Sequence, residues 1–215
     1  GSVAIGLAAK AAPAATGQTA LSSVAIGDHA TATADSAVAI GAYNSATGTS
    51  TVSIGKSSSA TSNNAMALGT QSKATADNAI SMGAYSETAG NRGTAVGVLT
   101  QAKGNGSFAG GASAQATGEN SVAIGGAQDG TLANKAGTAA KATGNQSIAL
   151  GTKSNATGVN ATAIGTGAQA THDNAIALGA GSATKMAIPN KSDTFFGKTY
   201  TYAGGSPSSV VSIGS

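Results

Sequence analysis

Ser121-Val122-Ala123-Ile124-Gly125 decides how this chain folds, because the chain repeats it from end to end. The same five residues, or a near copy, end at Gly6, Gly27, Gly41, Gly55, Gly69, Gly83, Gly97, Gly111, Gly125, Gly151, Gly165, Gly179 and Gly214. From Gly27 to Gly125 every interval is 14 residues. A fixed short period is the signature of a solenoid, in which each unit buries its surface only against its neighbours.

Within the motif, aliphatic residues precede the glycine (Ile26, Ile40, Ile54, Leu68, Ile124) and recur two residues earlier (Val24, Val38, Val52, Met66, Val122). That alternation reads as a strand, since helical spacing would place apolar residues three and four apart. The period-two pattern predicts that the aliphatic pair faces the core and that the small residue between them faces outward. One repeat carries Gly110 in an aliphatic column and Phe108 two residues before it, which predicts large-for-small compensation within one layer.

After each glycine a second alternation of small residues follows, such as Ser58 and Ala60 or Ala114 and Ala116, and it predicts a second, narrower strand. Asn64, Asn78, Asn120, Asn160 and Asn174 then recur at a turn, a residue type that tolerates left-handed backbone. Each unit is strand, turn, strand, turn. Stacked about 4.8 Å apart, roughly a dozen units give two parallel sheets in a rod on the order of 60 Å long.

Composition agrees with a thin-cored repeat and excludes several functions. Only 9% of residues are charged and 3% are aromatic, while 40% are hydrophobic. The net charge of +3 comes from eleven Lys and Arg scattered against eight acidic residues, with no cluster to track phosphates, so nucleic acid is not an expected partner. There is no cysteine, hence no disulfide or thiolate site. Apolar runs are too short to span a bilayer as a helix, and the stretch is expected to be soluble.

Three places break the period: near residues 10–17, 127–138 and 185–207. They are expected to be loops leaving a single domain of residues 1–215. The last contains Phe195, Phe196, Tyr200 and Tyr202, four of the seven aromatic residues of the chain. Two readings stand for it: a flap that folds over the end coils or a neighbouring chain, and an exposed aromatic contact patch. Tyr43 and Tyr85 share a column just after the motif glycine, where they serve either ligand contact or surface packing.

The small-residue column, read as outward, is a candidate for self-association. It comprises Ala25, Ala39, Ser53, Ala67, Ser81, Ala95, Ala123, Ala149, Ala163 and Ala177, and a closed ring of copies about the rod axis would cover it.

Asn120-Ser121-Val122-Ala123-Ile124-Gly125 and Asn174-Ala175-Ile176-Ala177-Leu178-Gly179, with Ala-Thr-Gly turns between such units, closely resemble the YadA-type head of trimeric autotransporter adhesins. The likeness runs over essentially the whole chain. It implies an all-β, left-handed parallel β-roll and a homotrimeric head. It also implies a bacterial cell-surface location, projecting from the outer membrane, with a neck, stalk and membrane anchor lying beyond this stretch. The chain would meet a membrane only through that anchor. The implied function is adhesion to host extracellular matrix, host cells or other surfaces, and autoagglutination, through multivalent binding without a cofactor. Handedness and the number of chains come from the resemblance alone.

Other classes fit less well. A purely structural spacer in a surface fibre remains an alternative. The Thr column at Thr47, Thr61, Thr75, Thr117, Thr143, Thr157 and Thr171 suggests an ice-binding solenoid, but it is single and is interrupted by Ala89 and Lys103. An enzyme acting on polysaccharide would need converging carboxylates, whereas Asp28, Asp35, Asp77, Glu87, Glu119, Asp129, Asp173 and Asp193 are scattered, and His29 and His172 lie many coils apart. No catalytic, cofactor or metal residue is expected.

Overall fold

The computed structural model describes residues 1–11, 22–127, 137–203 and 205–214. Each motif forms a three-residue strand, such as Val122–Ile124, and thirteen of these pair in parallel into one sheet. The second alternation forms two-residue strands, such as Gln115–Ala116 and Lys141–Ala142, and eleven of them make a second parallel sheet. The result is a β-solenoid. Pairing is in direct register: Ala123 lies between Ala109 and Ala149, and Val122 between Phe108 and Ile148. The insertion after Gly125 therefore leaves the ladder undisturbed; its residues 128–136, like 12–21 of the first insertion, lie outside the described residues.

The faces of the motif strand are reversed relative to the expectation from alternation. Ala25, Ala39, Ser53, Ala67, Ser81, Ala95, Ala123, Ala149, Ala163 and Ala177 are fully buried inside their own chain, and the aliphatic pairs on either side of them face outward. The physical reason is the width of the coil. The inward residues of the opposing sheet are also small, among them Ala32, Ala60, Ala102, Ala116 and Ala142, with Thr88 the largest, so the space between the sheets is too narrow for a column of Ile or Leu. Every buried hydrophobic side chain among the described residues is alanine. A three-residue strand has one central position to turn inward, and the sequence places Ala or Ser there.

Such a core gains little per residue from apolar burial, but alanine loses no side-chain rotamer entropy when buried. Backbone hydrogen bonds add to it, and they continue through the turns: Gly83 N–H donates to Leu68 O at 2.8 Å and Asn78 N–H to Asn63 O at 2.9 Å. In the middle coils hydroxyls replace methyls in the core and bond one another, with Ser53 and Ser58 oxygens 2.9 Å apart and Ser81 and Ser86 2.7 Å apart. In these two pairs each hydroxyl has a partner at hand, which offsets the cost of burying it.

Both turns require left-handed backbone. At the first, the motif glycines are fixed twice over: Gly69 has φ +127°, and a Cβ there would stand 2.7 Å from the carbonyl of Gly83 in the next coil. At the second, Asn64, Asn78, Asn120, Asn160 and Asn174 all have φ between +51° and +57°, as their residue type predicts. The residue before each of these matters as well. Asn63 Oδ1 accepts from Thr49 N–H, Asp77 Oδ1 from Asn63 N–H, Asn91 Oδ1 from Asp77 N–H and Asn105 Oδ1 from Asn91 N–H, at 3.0 to 3.2 Å. This side-chain ladder ties together the successive coils from Thr49 to Asn105.

Phe108 and Gly110 do compensate each other, but on the outer surface. A Cβ on Gly110 would lie 3.1 Å from Phe108 Cε1, so the ring occupies the space that the missing aliphatic side chain leaves.

Candidate functional surface

The rod has two unlike faces. On the thirteen-stranded sheet the outward columns are aliphatic and partly exposed, with Ile124 at 45% and Ile54, Met82, Val96, Ile164 and Leu178 similar. On the eleven-stranded sheet the outward column is polar: Lys73, Glu87, Gln101, Gln115, Lys141 and Asn155 stack in register. Glu87 receives Lys103 Nζ at 3.2 Å. An aliphatic stripe running the length of a rod far exceeds the scattered apolar exposure of an ordinary surface. The small-residue column is thus corrected as an association surface, since those side chains do not reach the outside.

The aromatic candidates are not brought together. Tyr43 and Tyr85 both occupy the first turn in left-handed backbone, φ +56° and +58°, in coils separated by Ser57 and Gln71. Tyr43 stacks on His29 of the preceding coil, ring centroids 5.1 Å apart and 11° from parallel, and His29 Nδ1 lies 2.7 Å from Asp28 Oδ1. Tyr43 thus has a packing partner within the turn column.

Phe195, Phe196, Tyr200 and Tyr202 belong to a hairpin of Ser192–Phe195 and Lys198–Thr201 that forms its own two-stranded antiparallel sheet. Every residue of both strands is exposed, so the hairpin does not shield the end coils of its own chain. Its root, Lys185–Ala187 and Pro207–Val210, lines a shallow groove with Thr171, His172 and Asp173 of the preceding coil's turn. Among the described residues, no three of the His, Asp and Glu side chains gather in a way that could hold a metal ion.

Comparison with known families is decisive for the solenoid. The family model for the YadA head domain repeat matches residues 19–44, 46–70, 60–86, 89–114, 111–127, 136–154 and 156–182, which together make up well over half of the chain. The chain belongs to the YadA head family. Among solved structures, this head is similar to the collagen-binding domain of the Yersinia adhesin YadA, with 26% identity, a TM-score of 0.49, and coverage of 75% of this chain and 68% of that one. No curated protein gives a significant match. The two-sheet coil of the YadA-type head, seen here from its residues, accounts for the glycine columns, the alanine core and the outward aliphatic stripe. The aliphatic stripe was in plain view in the sequence, and sequence reasoning assigned it to the wrong side.

Proposed function

We propose that this chain is the head of a homotrimeric surface adhesin that attaches a bacterium to extracellular-matrix proteins, host cells or other surfaces, and to other bacteria. The observation that carries this reading is the two-faced rod. Three copies packed through their aliphatic columns about a common axis would cover the apolar stripe and leave the polar sheets outward. Identical coils would then repeat any weak contact along the rod and around the axis, and multivalency supplies the strength. Segments outside this stretch would anchor the head in the outer membrane. The family supports the adhesin role.

The test is retention of the head on immobilised matrix proteins, beginning with collagen, which the Yersinia domain binds by its description. Two outward aliphatics, Ile124 and Ile164, are replaced by Ser to weaken association without touching the polar face. Retention is expected to fall on the order of 100-fold in the variant, because loss of avidity multiplies across sites. Equal retention of both would show that assembly does not underlie binding, and no retention on any surface would favour a spacer.

A further inference from the structure

The C-terminal hairpin has chemistry of its own. Its strands pair Ser192 with Thr201, Asp193 with Tyr200, Thr194 with Thr199 and Phe195 with Lys198. Directly opposed residues share a face, so one face holds only the hydroxyls of Ser192, Thr194, Thr199 and Thr201. The other holds Asp193, Phe195, Lys198 and Tyr200, and Tyr202, whose N–H bonds to Lys191 O, continues it towards the root. At the tip, Phe196 and Gly197 take φ +48° and +75°, the two-residue turn for which Asn-Gly is the ordinary choice. A phenylalanine is held instead in a backbone conformation that disfavours it, with its side chain fully exposed.

Phe195, Phe196 and Lys198 stand together at the tip, Phe195 directly opposite Lys198, with Tyr200 and Tyr202 behind them and Lys191 at the root. Between Lys185 and Ala203 there are three lysines and one aspartate. Lys198 Nζ lies 5.5 Å from the centre of the Tyr200 ring. Exposed rings with lysines beside them suit the interfacial layer of an anionic bilayer, where aromatic side chains lie at headgroup level and lysine reaches the headgroups. A sugar platform fits less well, since the Phe195 and Tyr200 rings are tilted 57° to each other and offer no flat surface.

We propose that this hairpin is a lipid-contact element, in which Phe195 and Phe196 enter the interfacial layer of an anionic membrane while Lys191 and Lys198 meet its headgroups. This departs from the expectation that the chain meets a membrane only through a distant anchor. It stands independently of the trimer.

The experiment is co-sedimentation of the whole chain with vesicles of phosphatidylcholine alone, and of phosphatidylcholine and phosphatidylglycerol in equal parts. The wild type is expected to bind the anionic vesicles, less so as salt rises. Phe195→Ser with Phe196→Ser should reduce that binding on the order of tenfold, as should Lys191→Gln with Lys198→Gln. Neither pair should move the melting temperature, because every residue of both hairpin strands is exposed. Met186→Ser with Ile188→Ser, exposed at the root, is the control for general stickiness. The proposal is overturned if neither vesicle binds, if neutral and anionic vesicles bind alike, or if the root pair matters as much as the tip pair. It is also overturned if the Phe pair changes only the sedimentation mass of the chain, which would assign the aromatic face to a second copy.

Discussion

Gly69→Val should lower the stability of the rod by about 3 kcal/mol or more, read as a fall in the denaturant midpoint. Two costs add there. The backbone at φ +127° lies where L side chains rarely go, a strain of roughly 1–3 kcal/mol by itself. A Cβ would also stand 2.7 Å from the carbonyl of Gly83, and backbone in the next coil cannot move aside without breaking its own ladder. Gly181→Ala separates the two costs, since Gly181 has φ +68° but nothing within 4 Å of the added Cβ. That change should cost only about 1 kcal/mol. If the two substitutions cost the same, close stacking of coils is not what fixes the motif glycine.

The second large effect distinguishes the inside of the coil from the outside. Ala123→Leu is expected to destabilise by about 3 kcal/mol, because Ala123 is fully buried and stacked between Ala109 and Ala149 with no room for three more carbons. Ile124→Ser, one residue along, should cost the dissociated chain less than about 1 kcal/mol, since its side chain is already 45% exposed. A core made of the aliphatic columns would give the opposite order: a tolerated Ala123 and a costly Ile124. Thermal or chemical denaturation of the two variants at one low concentration decides between them.

The repeat made most of this fold legible. Period, strand positions and turn asparagines follow from the spacing of Gly27 to Gly125 and from the left-handed tolerance of Asn64 and Asn78. The direction of the motif strand was not legible from alternation, which shows that Ala123 and Ile124 face opposite ways but not which way is in. The deciding signal lay elsewhere in the unit. The second strand offers only Ala and hydroxyl residues inward, so the narrowest partner sets the thickness of the core and excludes Ile.

The ladder formed by Asn63, Asp77, Asn91 and Asn105 was missed for a related reason. Its column mixes Asn, Asp, Thr and Glu, and a shared side-chain oxygen is less conspicuous than a shared residue. The hairpin could be recognised as chemically distinct from Phe195, Phe196, Tyr200 and Tyr202, but not its detachment from the coils. That detachment follows from strand pairing with itself, with all four hydroxyls on one face.

What holds these observations together is the outward aliphatic stripe, which the proposed trimer would cover. Sedimentation equilibrium of the chain across a range of concentrations, beside Ile124→Ser with Ile164→Ser, tests this directly. The expected result is a mass three times the 20.1 kDa of one chain for the wild type, shifted towards the single chain in the variant. A wild-type mass of 20.1 kDa at every concentration would contradict it, as would a trimer that the two serines leave unchanged.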